Sequence, residues 1–536
     1  MNDTANFDMK HTDEIRRQSR GSRLESDRIF SQSFTKYVMS TNKFIKPKSL
    51  KYVSQFGGVP LGQLKDGTEI LVDSSDSHSL IIGATGSKKS RLVVMPSVYI
   101  LAYAGESMIV SDPKAEIYGR TAALLLKQGY KIEVINLREP SLGNSWNPLS
   151  IPYSFYKNGN IDKACEFIND ISTNLMLSEK SDKDPYWDYS AGDLFFGLTL
   201  LLFKYCKTFN LNDGQVNITN LLRLRKDFFG NGTADLLFLR ELVDSDTIIS
   251  SSLMGTIEAP DKTQSCILST FDEKMRCFMI QPNLLKMLSN NSISMDCICD
   301  KKTIIYLIMP DEKTSYHKLI TLFVKQSYEY LIYKAQANKD GKMPIRVNYI
   351  LDEFSSLPTI KDFPTMITAA RSRNMRFNLV IQSKHQLIQR YKEEAETIQS
   401  NCDNWVFLTS REIKLLEEIS RLCGTHTNSN KPIIPLDSLQ HFNKEKGEAL
   451  ILSGRLYPYV SHLVDINMYD NGNFSFLDFK EEVRDCNEII RFSSIVSNDF
   501  TEQLENKLEN KLEYKEEIEK KFDELFGEFN ESEDNE

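Results

Sequence analysis

The sequence predicts an α/β protein built on a parallel β-sheet. Short apolar segments of strand length alternate with longer segments of helical pattern, and this alternation is typical of parallel strands joined by crossover helices. The alternation starts near residue 79, is lost after residue 150 and returns near residue 303. The expected strands are Ser79–Ile82, Ser107–Ser111, Lys131–Asn136, Thr303–Met309, Arg346–Asp352, Met375–Gln382 and Asn404–Leu408.

Further elements follow from local signals. Asp66-Gly67 between two apolar runs predicts a hairpin over about Gly57–Asp73. One helix is expected from the first strand to about Tyr103, and a second over Lys114–Gln128, with a glycine after its last residue. The last strand pair is expected near Glu448–Ser453 and Tyr459–Asp465.

Helical patterns follow one another without a strand between residues 151 and 299, which predicts an all-α insertion. The helices expected there are Ala164–Leu177, Tyr189–Tyr205, Asn217–Arg225 and Thr233–Val243. The predicted organisation is therefore one α/β domain in two segments, 51–150 and 300–480, interrupted by an all-α domain, 151–299. A polar lead-in with some helical pattern, 1–50, precedes them, and an acidic helical tail, 481–536, follows.

Composition and charge exclude several classes of protein. The 536 residues are 41% hydrophobic and 26% charged, which is globular and neither fibrous nor mainly disordered. The net charge of −9 argues at first against nucleic-acid binding. Residues 501–536, however, hold 14 acidic and 5 basic residues and therefore account for the whole excess. The rest of the chain is balanced and does not exclude DNA, because phosphate contacts are local.

The segment between the first strand and its helix has the pattern of a phosphate-binding loop, Gly83-Ala-Thr-Gly-Ser-Lys-Lys-Ser90. Lys89 is expected at the β- and γ-phosphates and Ser90 on Mg²⁺, while backbone N–H groups and the helix N-terminus face the anion. ATP and Mg²⁺ are the expected cofactors. The predicted nucleotide contacts are Gly83, Ala84, Thr85, Gly86, Ser87, Lys88, Lys89, Ser90 and Arg91.

Lys88 departs from the usual pattern, which has a second glycine at this position. Glycine is favoured there because the backbone approaches phosphate closely and adopts conformations that a Cβ disfavours. A lysine either is tolerated and adds positive charge, or weakens binding and slows hydrolysis. Taken alone, the motif also fits a Gly/Ser turn that binds no phosphate.

A second group of candidate residues follows later strands. Asp352 ends an apolar strand, where a carboxylate holds Mg²⁺, and Glu353 is placed to polarise the attacking water. Gln382 ends the next strand and is expected near the γ-phosphate, or is an ordinary polar strand end. Arg371 and Arg373 are candidates for reaching the γ-phosphate of a neighbouring subunit, or are surface arginines. Lys361, Arg376 and Lys384 lie near loops that suit DNA contact, although such charges are usually just solvated.

The order of the motifs along the chain resembles the type IV coupling proteins, the TraG-like ATPases of conjugative DNA transfer. The matching segments cover about residues 55–465 in that family's order. Besides the phosphate-binding loop, they are Ser111–Tyr118, Asn144–Leu149, Tyr306–Asp311, Leu351–Pro358, Ala370–Asn374, Ile381–Leu387, Asn401-Cys402 and Gly447–Leu452.

The resemblance implies a RecA-like P-loop NTPase motor domain with an inserted all-α domain that selects substrate. It implies a homo-hexameric ring in which ATP hydrolysis pumps single-stranded DNA with its relaxase, or a secreted effector protein, into a type IV secretion channel. Asp112, Lys114 and Glu116 match a family motif without a firm role. The N-terminal transmembrane helices common in the family are not found in this sequence, which implies a cytoplasmic protein, either free or held at the inner face of the membrane by an anchoring partner.

Three functions remain open on the sequence alone. The first is the translocating ATPase, favoured by Asp352, Glu353 and Gln382. The second is a nucleotide-binding substrate receptor with weak or no hydrolysis, favoured by Lys88. The third is a DNA-processing ATPase outside secretion. The acidic tail is either a solvated helix or a docking helix for basic cargo.

Overall fold

A computed structural model of the chain describes most residues between 57 and 484. The predicted acidic tail lies outside the described residues from residue 485 onward, as does most of the predicted lead-in. The described ranges are 57–63, 69–177, 185–230, 246–310, 316–426, 429–454, 456–470 and 475–484, with short stretches elsewhere that include two strands near residue 40.

A small antiparallel sheet precedes the main sheet in the chain. Its strands are β1 (Thr35–Ser40), β2 (Lys43–Ile45), β3 (Pro60–Gln63) and β4 (Glu69–Val72), in the order β2-β1-β4-β3. The pairing of β3 with β4 confirms the predicted hairpin. The sequence does not predict β1 and β2. The prediction of a lead-in with helical pattern is wrong for these residues. β1 pairs with β4, which lies around residue 70, so the local pattern carries little of its signal. β2 has three residues and pairs with β1.

The main sheet has nine strands. They are β5 (Ser79–Gly83), β6 (Ser107–Asp112), β7 (Lys131–Asn136), β8 (Thr303–Ile308), β9 (Val347–Leu351), β10 (Met375–Ile381), β11 (Asn404–Thr409), β12 (Glu448–Ser453) and β13 (Tyr459–His462). The order is β13-β12-β11-β5-β10-β9-β6-β8-β7. All pairs from β11 to β7 are parallel, and β12 and β13 are antiparallel. The α/β class and every strand predicted for this sheet are confirmed.

Both faces of the main sheet are covered, which explains the unbroken apolar runs in its strands. Successive side chains of a strand point to opposite faces. In β5, Leu80 and Ile82 belong to one buried cluster and Ile81 to another. In β6, Ile109 belongs to the first cluster and Met108 to the second, so the sheet separates two apolar cores.

Helices connect the strands and fill the interval between β7 and β8. A π-helical turn, Ser90–Val94, leads from the phosphate-binding loop into the first helix, and that helix ends at Gly105 with φ of 79°. In chain order the helices are α1 (Met95–Ala104), α2 (Glu116–Lys127), α3 (Ser150–Lys157), α4 (Ile161–Met176), α5 (Tyr186–Thr208), α6 (Ile218–Phe229), α7 (Thr247–Ile257), α8 (Asp261–Met279), α9 (Pro282–Leu288), α10 (Met295–Asp300), α11 (His317–Ala337), α12 (Phe363–Ala370), α13 (Lys384–Tyr391), α14 (Glu394–Ser400), α15 (Ile413–Cys423), α16 (Leu436–Gln440) and α17 (Ile466–Asp470).

The described residues between β7 and β8 form helices and turns without a named strand, as the sequence predicts. α4, α5 and α6 confirm three of the predicted helices, and Thr233–Val243 lies largely outside the described residues. Phe195 of α5 shares a buried cluster with Ile305 of β8, so this helical segment and the sheet have a common core. The domain boundaries at residues 151 and 299 therefore stay a prediction.

The amino-terminal edge of the sheet contains a buried charge network. Arg376 donates to Glu106 at 2.5 Å and to the carbonyl of Gly57 at 2.9 Å, and Glu106 also accepts from Asn348 at 2.7 Å. Because Arg376 is buried and paired, its suggested contact with DNA is wrong.

Lys384, another residue suggested for contact with DNA, is ion-paired with Glu418 at 2.5 Å.

The part of the chain that the structure describes contains no helix with the length and apolar character needed to cross a lipid bilayer.

Candidate nucleotide-binding site

The carboxyl ends of the central strands meet at one edge of the sheet. β5 lies beside β10, β10 beside β9, and β9 beside β6, all parallel. In open α/β sheets this edge is where ligands bind. The loops after these four strands surround a cavity of about 220 Å³, and they bring together the phosphate-binding loop, Gln382, Asp352, Glu353 and Asp112.

The phosphate-binding loop folds tightly over the end of β5. The Lys89 ammonium donates to the carbonyls of Gly83 at 2.6 Å and Ala84 at 3.3 Å. A Cβ on Gly83 would lie 2.5 Å from Ser87 Oγ and 3.0 Å from Lys89 Cγ, so a side chain there would displace the Ser87 hydroxyl and the Lys89 side chain. Burial lowers the pKa of Lys89, and the carboxylates of Asp352 and Glu353 oppose that shift. The lysine is therefore held in the cavity beside the two acidic residues.

Ser87 supplies a direct test of whether an anion fits this loop. Its hydroxyl oxygen is buried and has no hydrogen-bond partner among the described residues. A buried polar atom without a partner is costly, and such atoms in native proteins usually have a ligand, water or ion to satisfy them. Together with the buried lysine, the orphaned hydroxyl matches a loop built around phosphate oxygens.

Lys88 occupies the position where the usual pattern has glycine, and its backbone is left-handed, with φ of 65°. The sequence argument that this position favours glycine therefore has a conformational basis here. The Lys88 ammonium is turned to Glu445, with which it forms an ion pair. The sequence does not predict Glu445, because it lies far along the chain in the turn before β12.

Arg91 follows the loop and is held by another acidic residue. Its guanidinium makes a bidentate pair with Asp465, at 2.6 and 2.9 Å. Bidentate arginine–carboxylate pairs are among the stronger polar contacts of proteins. Arg91 lines the cavity, but the predicted contact of its side chain with the nucleotide would require this pair to open.

The predicted metal ligands Ser90 and Asp352 lie together. Ser90 Oγ donates to Asp352 Oδ2 at 3.3 Å, and the Asp352 backbone carbonyl accepts from Ser111 Oγ at 2.9 Å. Burial raises the pKa of Asp352 to about 6, while the charge of Lys89 partly offsets this shift. A hydroxyl beside a buried carboxylate is a set of hard oxygen donors of the kind that Mg²⁺ takes in nucleotide sites.

A chain of hydrogen bonds links the phosphate-binding loop to Glu353. Thr85 Oγ1 donates to Gln382 Oε1 at 2.9 Å, and Gln382 Nε2 donates to Glu353 Oε1 at 2.9 Å. Glu353 has a left-handed backbone with φ of 55°. The amide of Gln382 thus fixes the carboxylate that the sequence assigns to water activation. The role of Thr85 in orienting Gln382 is a connection that spacing along the chain does not reveal.

Asp112, which the sequence places in a motif without a role, lies in the same cavity. Its carboxylate accepts from the backbone N–H of Tyr118 at 2.8 Å and so anchors the start of α2. Burial raises the pKa of Asp112 to about 7, and the nearby Asp352 adds to the shift. Lys114 and Glu116 from the same loop also line the cavity. The negative charge of Asp352 therefore makes ionisation of Asp112 in the same cavity less favourable.

Arg371 and Arg373 lie away from this cavity. They form a 3₁₀ turn that immediately precedes β10, at the amino-terminal edge of the sheet. Arg371 pairs with Asp403 at 3.0 Å, and Arg373 donates to the carbonyl of Gly341 at 3.1 Å. The seven residues of β10 put them roughly 20 Å from the nucleotide edge of the same chain. A catalytic role for either arginine stays a prediction and requires a second subunit.

The residues at the carboxyl edge fit a magnesium–nucleotide complex. The loop of Gly83 to Ser90, with Lys89, would hold the phosphates, and Ser90 with Asp352 would hold the metal. Glu353, fixed by Gln382, lines the same cavity.

Comparison with known proteins agrees with this geometry. The family model described as Type IV secretory system Conjugative DNA transfer matches residues 29–445. The type IV secretion system-coupling protein VirD4 of Bartonella henselae is 22% identical over 405 residues, covering 72% of this chain and 60% of that protein. The conjugal transfer protein TraG of Agrobacterium fabrum is 22% identical over 357 residues, covering 66% of this chain and 51% of that protein. The chain therefore spans just over half the length of these two relatives.

Solved structures share the fold. The bacterial conjugative coupling protein TrwBdeltaN70 in its unbound form superposes with a TM-score of 0.57 at 15% identity, covering 85% of this chain and 96% of that one. TrwB in complex with the non-hydrolysable ATP analogue ADPNP has the same TM-score and identity, covering 87% and 97%. The fold is thus the RecA-like P-loop fold of those proteins. The family model matches more than three quarters of this chain. The chain therefore belongs to the conjugative DNA transfer family of type IV secretory systems.

Proposed function

We propose that the protein is an ATP-hydrolysing motor that couples a substrate to a type IV secretion or conjugation channel. The substrate would be single-stranded DNA carrying its relaxase, or a secreted effector protein. The observation that carries the proposal is the convergence of Lys89, Ser90, Asp352, Glu353 and Gln382 at one edge of the sheet, in a chain of the conjugative DNA transfer family.

The residues of the cavity have complementary parts in hydrolysis. Mg²⁺ would neutralise charge on the phosphates when bound. Lys89 places a buried positive charge where negative charge develops. Glu353 accepts a proton from water, and Gln382 holds that carboxylate in place at 2.9 Å. Hydrolysis by this route would use only residues of the cavity and one positively charged residue from a neighbouring subunit.

The relatives support the nucleotide and the coupling role in this proposal. TrwB has been solved in complex with an ATP analogue and with ADP and Mg²⁺. VirD4 is named a coupling protein of a type IV secretion system. A homo-hexameric ring would bring Arg371 or Arg373 of one subunit towards the nucleotide of the next, which explains why the two arginines lie at the far edge of their own sheet.

ATP turnover by the purified protein tests the proposal. We expect Mg²⁺-dependent hydrolysis that single-stranded DNA stimulates, and sizing in ATP should reveal a ring. Lys89→Ala should abolish nucleotide binding. Glu353→Gln should keep binding and lower turnover by about 10²-fold or more. Unchanged hydrolysis in Glu353→Gln would show that the assigned base is wrong.

A second candidate function is a nucleotide-binding receptor that recruits cargo and hydrolyses ATP weakly or not at all. The left-handed backbone of Lys88 favours it, because a side chain at this position is strained. Turnover of the wild type against Lys88→Gly separates the two functions. A large gain of hydrolysis in Lys88→Gly, from an undetectable wild-type rate, would favour the receptor.

The proposal also includes a location in the cell and binding partners. The protein would act in the cytoplasm, at the inner face of the membrane where an anchoring partner recruits it. The acidic residues 501–536 would bind basic cargo or DNA-processing proteins. Deleting these residues should leave ATP turnover intact and reduce cargo capture. If capture is unchanged, the tail serves solubility alone.

A further inference from the structure

Lys88 has an unfavourable backbone conformation within the phosphate-binding loop. The residue is left-handed, with φ of 65°, in the middle of the loop that must present its N–H groups to phosphate. Lysine, unlike glycine, disfavours this conformation. The next residue, Lys89, has to stay directed into the cavity. Something must therefore hold residue 88 in a conformation that its own side chain opposes.

The turn before β12 contacts the loop at two points. Glu445 forms the ion pair with the Lys88 ammonium, and Lys444 Nζ donates to the carbonyl of Gly86 at 3.3 Å. The hydrogen bond from Lys88 lowers the pKa of Glu445, so this carboxylate is charged at neutral pH. The turn thus holds the loop on both sides of Ser87, whose hydroxyl is the orphaned group.

The turn is itself well defined, which makes it a suitable support. Asn443 Oδ1 accepts from the backbone N–H groups of Glu445 at 2.9 Å and Lys446 at 3.2 Å. The N–H of Asn443 donates to Glu448 Oε2 at 2.8 Å, which fixes the turn to the first residue of β12. Glu445 is therefore presented from a local hydrogen-bonded structure.

The other charges near Lys88 leave Glu445 as its partner. Asp465 is the second acidic group on this side, and the guanidinium of Arg91 takes both of its oxygens at 2.6 and 2.9 Å. Lys444 adds positive charge beside Lys88. Two separate ion pairs therefore form here, Lys88 with Glu445 of the turn and Arg91 with Asp465 after β13.

We propose that Glu445 is a positioning residue for the phosphate-binding loop. By pairing with Lys88, it holds residue 88 left-handed and turns the ammonium away from the phosphates, so that the backbone of the loop keeps the shape that glycine would otherwise give it. Glu445 compensates for the missing second glycine. This inference rests on the proposed nucleotide-binding function and deepens it by assigning the part of the protein that supports the altered loop.

A double-mutant cycle tests the pairing. Glu445→Gln and Lys88→Ala should each weaken ATP binding about two- to fivefold, the range for an exposed ion pair, and the double variant should be no weaker than the single ones. In a Lys88→Gly background, Glu445→Gln should have no effect, because glycine adopts the conformation without support. Turnover at saturating ATP should stay near the wild-type value in Glu445→Gln. Glu417→Gln on the exposed face of α15 is the matched control and should change nothing.

Hydrogen exchange in the nucleotide-free protein provides a readout that does not depend on ATP. The amides of residues 84–90 should exchange faster in Glu445→Gln than in the wild type and the Glu417→Gln control. Unchanged exchange would overturn the proposal, as would additive losses of ATP affinity in the double variant. If the wild type binds no nucleotide, the proposed function fails, whereas the exchange experiment still decides the role of Glu445.

Discussion

The nucleotide edge contains both unfavourable backbone conformations and buried carboxyl groups. Lys88 and Glu353 have left-handed backbones, and Asp112 and Asp352 are buried carboxyls with raised pKa values. Local strain of this kind persists at functional sites because the surrounding structure imposes it. We therefore expect these residues to destabilise the nucleotide-free protein. Bound nucleotide and metal would offset that destabilisation.

Asp352→Asn should stabilise the protein in the absence of nucleotide and Mg²⁺. The folded-state pKa of about 6 lies above the ordinary value of 3.8, so the folded protein binds the proton more tightly than the unfolded chain does. The contribution of Asp352 to the free energy of unfolding therefore falls as the pH rises from about 4 to about 6. At neutral pH we expect a gain of about 1–3 kcal/mol in the variant.

Thermal unfolding at pH 7.5 and pH 4 measures that gain. It should be present at the higher pH and largely lost at the lower one, where the wild-type carboxyl is already protonated. Asp340→Asn, on the surface, serves as the control. Equal melting temperatures of wild type and Asp352→Asn at pH 7.5 would show that the buried charge is not destabilising.

Gln382→Ala should lower turnover with little change in ATP affinity. The substitution removes the amide that fixes Glu353 at 2.9 Å and accepts from Thr85 at 2.9 Å. Loss of orientation of a catalytic group costs about tenfold to a hundredfold in rate. Steady-state kinetics should place the effect in kcat. Thr85→Val, which removes only the outer hydrogen bond, should have a smaller effect in the same direction, and an equal or larger one would contradict this order.

At the scale of elements, strand order decides which residues meet. β10 lies between β5 and β9, so Gln382 reaches both the phosphate-binding loop and the acidic pair. Parallel strands put their carboxyl ends at one edge, where each loop contributes one or two side chains. The arrangement of the candidate site is therefore set by the topology of the sheet.

The sequence predicts this edge well and its surroundings poorly. Buried parallel strands are unbroken apolar runs, so β5, β9 and β10 are visible from local composition, and the polar residues that end them identify the site. Glu445 and Asp465 leave no such signal, because they come to the loop through the antiparallel strands β12 and β13. β1 is likewise not predicted, since it pairs with the distant β4. β2 has only three residues, too few for a clear alternating pattern.

Gly83→Ala should weaken ATP binding while leaving a folded protein. A Cβ at this position would meet Ser87 Oγ at 2.5 Å and Lys89 Cγ at 3.0 Å, so the side chains of Ser87 and Lys89 would have to move from their places in the loop. Gly129→Ala is the matched control: its φ of 76° is strained, but nothing lies within 4 Å of the added atom. The control should lose about 1 kcal/mol of stability and keep its ATP affinity. Similar ATP affinities of the two variants would exclude close packing as the reason for glycine at position 83.

At the scale of the whole molecule, the two edges of the sheet have different parts in the proposed motor. The carboxyl edge holds the nucleotide, and the amino edge carries Arg371 and Arg373, one strand length away. In this proposal, a single chain would contain an incomplete site and the complement for another. Rings of identical subunits join such edges head to tail.

Mixing two inactive variants tests this completion. The Arg371→Ala/Arg373→Ala double variant keeps an intact nucleotide cavity, whereas Glu353→Gln keeps intact arginines, and each alone should be nearly inactive. In mixed rings, a double-variant subunit beside a Glu353→Gln subunit regains both parts, which restores roughly a quarter of wild-type turnover at equal mixing. Lys89→Ala mixed with Glu353→Gln should restore nothing, because both changes lie in the same cavity. The absence of recovery in assembled mixed rings, or full activity of the arginine variant alone, would leave the two arginines as surface residues paired with Asp403 and the Gly341 carbonyl.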